Sequence, residues 1–302
     1  MMQSVADLPG RLGLAETRIH HADRHGLVSL ARGHLFVENG TLRFDCAASN
    51  DLEAGSYAIP YQQVSMILLG PGSTVSHDVL RLMARHDTLL VAIGDGGVKC
   101  YTAPPLGQMG TGRSRLARIH ARVWADTESR LLLARRMYAK RFGTIPPHRD
   151  ITVLRGIEGA RMKETYKIIA GRYGVAWNGR HYDRANPMGA DMANQAINHA
   201  ATFVESAADI AVAAVGALPP LGFIHEDSSN SFTLDIADMF RADVTLPLAF
   251  RVAKRVLDRP SLNLEREVRR EAAMDFRKLQ VIPKMIDMIK ELFDGHDGAG
   301  DP

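Results

Sequence analysis

Tyr101-Thr102-Ala103-Pro104-Pro105-Leu106-Gly107-Gln108-Met109-Gly110-Thr111-Gly112 divides the chain into two kinds of pattern. Pro104 and Pro105 lack an amide donor, and Gly107, Gly110 and Gly112 lose the most backbone freedom on folding, so no regular element is expected across them. Before this stretch apolar residues recur with a period of about two; after it the period becomes about 3.6. The expected fold is therefore α+β and multidomain, with a β-rich N-terminal domain followed by an all-α domain. The boundaries read as 1–100 for the β-rich part with one helix, 101–112 for the linker, 113–293 for the helical part and 294–302 for a polar, Gly-rich tail expected to be disordered.

Upstream of the linker, Leu27 to Leu30, His34 to Val37 and Thr41 to Phe44 read as short strands, and Asn39-Gly40 as a two-residue hairpin turn, since both positions tolerate positive φ. Tyr57 to Pro60, Val64 to Leu69, Thr88 to Ile93 and Val98 to Tyr101 continue the pattern. Ser76 is placed to cap one helix over residues 77–85. Gly94-Asp95-Gly96-Gly97-Val98-Lys99 looks like a phosphate loop but lacks the spacing and the following Ser or Thr.

Downstream, residues 114–142 read as one helix, with Leu116, Ile119, Val123, Leu131, Ala134 and Met137 on one stripe. Arg113, Arg115, Arg118, Arg122, Arg130, Arg135, Arg136, Lys140 and Arg141 cover much of the rest, either as a solvated face or as a track for a polyanion. Asp150 or Thr152 starts a helix to Tyr173, in which Leu154, Ile157, Arg161, Thr165 and Ile168 are expected to face inward. Gly156 and Gly159 flank Glu158, at about 1 kcal/mol each against alanine, which suits close approach by a backbone or ligand. Glu158 itself lies beside the expected inward face, with a solvent-facing carboxylate as the plainer alternative. Residues 191–216, rich in alanine, read as a central helix stopped by Pro219-Pro220, and His199 on it as an ordinary histidine. Residues 245–257 and 263–293 read as helical and carry further arginines.

The chain has 302 residues, a hydrophobic fraction of 46%, a charged fraction of 24% and a formal charge of +3. Those values suit about two soluble domains and permit a polyanionic partner without demanding one. Cys46 and Cys100 are too far apart in sequence to build a disulfide framework or a zinc ribbon. Residues 1–18 contain Asp7 and Glu16 and no long apolar run, so no signal peptide is expected, and no window approaches the ~20 apolar residues of a membrane span. A cytoplasmic location is expected.

The chemistry concentrates in residues 222–241. His225 closes an apolar run of Leu221, Phe223 and Ile224, and Asp235 and Asp238 follow at i, i+3, which puts them on one helix face. Such groups beside apolar residues need compensation, and a divalent ion such as Mg²⁺ or Mn²⁺ suits imidazole and carboxylate donors. A helix-capping role explains Asp235 equally well.

Four motifs occur in order: Leu154-Arg155-Gly156-Ile157-Glu158-Gly159-Ala160-Arg161, Trp177-Asn178-Gly179-Arg180, Gly222-Phe223-Ile224-His225 and Ser231-Phe232-Thr233-Leu234-Asp235-Ile236-Ala237-Asp238. Together they resemble the universal CRISPR adaptation endonuclease, the integrase subunit that inserts new spacers, in its type I-E subgroup; Gly70 to His77 is similar too. The resemblance covers about residues 18–293. It implies a β-rich N-terminal domain that dimerises, an all-α catalytic domain, and a small ferredoxin-like partner flanked by two homodimers. It implies a metal site of Glu158, His225 and Asp238, with Asp235 beside it as a further catalytic residue, and double-stranded DNA as substrate. It places Arg81 and Lys99 at basic positions used toward DNA, beside the α-helical Arg115, Arg118 and Arg122. Arg241 stands where relatives often carry lysine, Thr74 where a basic residue is expected, and His25 where an aromatic ring can stack on a DNA end. The expected activity is metal-assisted phosphoryl transfer, by a DNA 3′-hydroxyl in integration or by water in cleavage. A non-catalytic DNA-binding scaffold would instead show salt-sensitive binding with no metal dependence, and a small-substrate metallohydrolase would not need the arginines.

Overall fold

The computed structural model describes residues 26–48, 53–86, 88–102, 111–144, 150–181, 191–226 and 228–295. His25, most of the expected linker and most of the C-terminal tail lie outside them. Among the described residues, seven strands come first. β2 (Gly33–Glu38) and β3 (Thr41–Cys46) form the expected hairpin, closed by the Glu38–Thr41 pair, with Asn39 and Gly40 at φ of 49° and 77°. β4 (Gly55–Ile59) adds antiparallel to β3, and the short β6 (Thr74–Val75), not foreseen as a strand, adds parallel to β2. A second sheet is wholly parallel: β1 (Gly26–Leu30), β5 (Val64–Leu69) and β7 (Leu89–Ala92), with β5 in the middle.

β5 is buried on both faces, as its run Met66-Ile67-Leu68 requires. Ile67 packs with Leu35, Leu42 and Phe44 in a core between the strands and α1 (His77–Arg85). Met66 and Leu68 point the other way, into the core of the helices. Ser76 does precede α1, but its hydroxyl makes no capping bond. The strand expected over 98–101 is a single bridge, Ile93 to Cys100, that closes a 3-10 turn at Asp95–Gly97. That turn docks on the helices: a Cβ on Gly97 (φ 83°) would lie 3.0 Å from Ile282.

The helical part follows. The single helix expected over 114–142 is two, α2 (Thr111–Ala125) and α3 (Thr127–Phe142). Asp126 adopts an extended backbone and its carboxylate accepts the Ser129 amide, so it ends one helix and caps the next without disturbing the apolar period. α4 (Ile151–Tyr173) is capped by Asp150 as expected. Its inward face is not the expected one. Leu154, Tyr166, Ile169 and Ala170 are buried, while Arg161 is exposed and Ile168 is 55% exposed. The helix is anchored near its ends rather than along one stripe. Among the described residues, no atom outside the helix's own turns comes within 4 Å of a would-be Cβ on Gly156 or Gly159.

α5 (Met192–Val215) is the central helix, and it ends at Gly216 in the left-handed region, three residues before Pro219. α6 (Ser231–Met239), a π-helical turn (Arg241–Thr245), α7 (Leu246–Asp258), α8 (Leu264–Lys278) and α9 (Val281–Phe293) complete the chain. The apolar stretch 263–293 is thus divided at Gln280, which holds φ 53°. α6, α7, α8 and α9 all pack on α5, where Ala196, Ala200, Ala207, Ala208 and Ala211 are fully buried. Among the described residues no helix is long and apolar enough to cross a membrane.

Alanines at these contacts set the helix spacing, so added volume has nowhere to go. Ala207→Leu is expected to lower unfolding free energy by about 1–3 kcal/mol, read as a lower denaturant midpoint at unchanged m-value.

Candidate active site

The sharp turn from Leu218 to His225 carries the site, and three helices, α2, α4 and α6, hold it. Asp235 on α6 has a side chain with no exposure. One of its oxygens accepts the amides of Phe223 at 2.6 Å and Ile224 at 3.1 Å; the other accepts the amide of His225 at 2.9 Å and its Nδ1–H at 2.7 Å. From α2, His120 Nε2–H donates to the Leu221 carbonyl at 2.7 Å, while Nδ1 accepts the Leu218 amide at 3.2 Å. Trp124 donates to the Gly222 carbonyl at 2.9 Å, and Arg155 from α4 donates to the Ile224 carbonyl at 2.6 Å. Gly222 is required by space: a Cβ there would collide with the His225 carbonyl and the Ser231 side chain.

This turn sets the direction of His225. With Nδ1–H given to Asp235, Nε2 faces Asp238, 3.9 Å from its Oδ2. The hydrogen bond to Asp235 holds the imidazole pKa above its ordinary value, against the effect of burial. Asp238 also meets Arg241 through its other oxygen. Burial disfavours the charge on Arg241, but Asp238 and Tyr166 hold its pKa above the ordinary value. Tyr166 is itself fixed by stacking on Trp177 at 5.0 Å, which meets Phe250 edge-on.

Glu158 comes from α4 and is only 18% exposed at its side chain. Burial pushes its carboxyl above the usual range, Arg141 pulls it down and Asp238 pushes it up again. The Arg141 guanidinium joins the two acids: it contacts Glu158 and stands 3.9 Å from Asp238. The structure thus gathers Glu158, His225, Asp235, Asp238 and Arg241 into one place. Among the described residues, no three His, Cys, Asp or Glu side chains stand close enough together to hold a metal ion, and Arg141 contacts both acids. The donor chemistry nevertheless fits a divalent ion. Two carboxylates face an imidazole whose second nitrogen is tied to a carboxylate, the arrangement that orients a metal-binding histidine.

The remaining basic positions lie on other elements. Arg115, Arg118 and Arg122 are exposed on α2, and Arg81 on α1 pairs with Asp78 at 3.1 Å. Lys99 follows the 3-10 turn and is half-buried, and Thr74 bonds His34 at 2.8 Å. Three of the cations of α3 have acidic partners within the chain. Arg130 pairs with Glu226 at 2.9 Å, Lys140 with Glu291 at 2.5 Å, and Arg141 turns inward.

A family profile described as "CRISPR associated protein Cas1" matches residues 138–267, which span both Glu158 and the His225 turn. The "CRISPR-associated endonuclease Cas1" of Escherichia coli (strain K12) is 38% identical over 235 residues, 78% of this chain and 75% of that protein. The chain belongs to the Cas1 family. A Cas1 endonuclease of Geobacter sulfurreducens is 34% identical over 89% of the chain and 85% of its own length. A solved structure described as a TtCas1–DNA complex superposes with a TM-score of 0.80 at 29% identity, covering 93% of this chain and 100% of the other. The fold is thus that of Cas1 proteins, with strands first and helices after.

Sequence reasoning missed the residues that shape this Cas1 site from outside its motifs: His120, Trp124 and Arg141. Glu205 on α5 is a further one, its carboxyl held up by burial and by Asp238. The signal for His120 was a histidine one position after Ile119 on an apolar stripe, which spacing alone cannot separate from an ordinary core histidine.

Two outcomes follow from this geometry. Gly222→Ala should cost about 3 kcal/mol or prevent folding, since neither the His225 carbonyl nor α6 can yield, and a thermal melt reads it. His120 is boxed by Phe223, Phe232 and Phe293, and burial drops its pKa from 6.5 to about 4. The unfolded chain therefore binds more protons than the native one in that window. The contribution of neutral His120 is complete above pH 6.5 and falls away toward pH 4, with a swing on the order of 3 kcal/mol. Denaturant titrations across that range should lose this part of their pH slope in His120→Gln.

Proposed function

We propose that this chain is a CRISPR adaptation nuclease and integrase whose reaction centre is Glu158, His225 and Asp238, oriented by Asp235. The observation that carries it is the meeting of those side chains from α4, the 218–225 turn and α6, with His225 tied at Nδ1 and open at Nε2. Glu158, His225 and Asp238 would hold the divalent ion, Mg²⁺ or Mn²⁺, which when bound polarises a phosphodiester and stabilises the leaving oxygen.

The protein's own part is positioning and charge. Asp235 keeps the proton on Nδ1 and the Nε2 lone pair toward the acids. Arg241, at the edge of the site and 37% exposed, presents a guanidinium to a DNA phosphate, with planar two-point geometry where a lysine would give a point charge. Arg115, Arg118 and Arg122 on α2, with Arg81 and Lys99 nearer the strands, supply sequence-independent backbone affinity. A 3′-hydroxyl as nucleophile gives integration of spacer DNA; water gives cleavage. A solved structure described as a TtCas1–DNA complex supports DNA as the ligand, and the family resemblance supports its double-stranded form. The family resemblance supports a homodimer through the strand-rich part, a ferredoxin-like partner and a cytoplasmic setting.

Strand transfer and cleavage by His225→Ala and Asp238→Asn are the test, with Mg²⁺ or Mn²⁺ supplied. Both rates should fall at least about 100-fold while DNA affinity at fixed salt is kept. Wild-type rates in either variant would remove it from the reaction centre.

A further inference from the structure

Arg141 occupies the last turn of α3, and its side chain is 7% exposed. Nη2 contacts Glu158, and Nη1 lies 3.9 Å from the Asp238 oxygen that also faces His225. One planar fork therefore spans acids from two helices, α4 and α6. A buried guanidinium keeps its charge and is costly without partners, so the fork and the acids stabilise each other. A divalent ion needs those same oxygens, and two cations drawn to one pair of carboxylates repel each other. Arg241 is differently placed: it takes the opposite oxygen of Asp238, is braced by Tyr166 and leaves the side toward His225 open.

We propose that Arg141 is an internal counter-cation that competes with the divalent ion for Glu158 and Asp238, so that metal loading requires its guanidinium to leave Glu158. The proposal rests on the assignment of Glu158, His225 and Asp238 as the ion's ligands. It makes metal-free protein a stable, neutralised form and weakens ion affinity below what the donors alone would give. A merely structural arginine predicts the reverse, since its loss would loosen the site and weaken binding.

The experiment is a Mn²⁺ titration of the full chain without DNA, followed by the electron paramagnetic resonance signal of free Mn²⁺. Arg141→Gln should bind roughly tenfold tighter than wild type, and Arg141→Lys, which keeps the charge, should stay within about threefold. His225→Ala should bind weakly. Unchanged or weaker binding by Arg141→Gln, or equal tightening by Arg141→Lys, overturns the proposal while His225→Ala still supports the ligand assignment. Unchanged binding by His225→Ala removes that assignment itself, and this proposal with it. Should Arg141→Gln not fold without the ion, a crystal structure of wild type with Mn²⁺ decides. An ion at the acids with the guanidinium withdrawn supports competition; an ion there with Arg141 still on Glu158 overturns it.

Discussion

Everything at this site depends on one buried carboxylate. Asp235 has no exposed side-chain surface, and an ion in that position survives only if its lone pairs are filled. Three successive backbone amides and one imidazole fill them. The same bonds bend residues 222–225 into a turn so tight that only glycine fits at its start, and they leave one nitrogen of His225 directed at Asp238. Fold stability and site geometry are here a single arrangement. The anion that holds the turn is also the group that orients the histidine.

Around that anion, cations and aromatic rings share the remaining work. His120 acts as a neutral two-sided bridge because its box of phenylalanines excludes water and disfavours its charge. Arg155 and Trp124 take carbonyls of the turn. The arginines of the first two long helices divide by position. Those on α2 are exposed, whereas on α3 Arg130 and Arg141 answer acids of the catalytic half. A run of positive charge in a sequence therefore mixes two populations, one facing solvent and one paired with acids of the same chain.

Local signals carried most of the fold. Asn39-Gly40 announced its hairpin, the Asp150 cap marked a helix start, and the alanine-rich stretch marked the central helix. The helix break at Asp126 was not legible, because it does not interrupt the apolar period and no proline or glycine marks it; at Gln280 the apolar period also runs on, and Pro283, in the first turn of α9, was the local mark that sequence reading passed over. In α4 the spacing of apolar residues was right for a helix, but only its ends meet partners, so spacing could not say which side is buried. At the site, His225, Asp235 and Asp238 could be chosen from within the single stretch 222–241. Arg141 could not, since its role arises from two acids distant in sequence and close only after folding.

β5 gives the chain a property that neither half has alone. Its alternate side chains belong to different cores, Ile67 to the strands and Met66 with Leu68 to the helices. Loss of either core would strip one face of the strand and leave its apolar residues in water. The melting of the two halves is thereby coupled: the sheet acts as a shared wall, and the molecule should pass between native and denatured populations as one cooperative unit despite its mixed architecture.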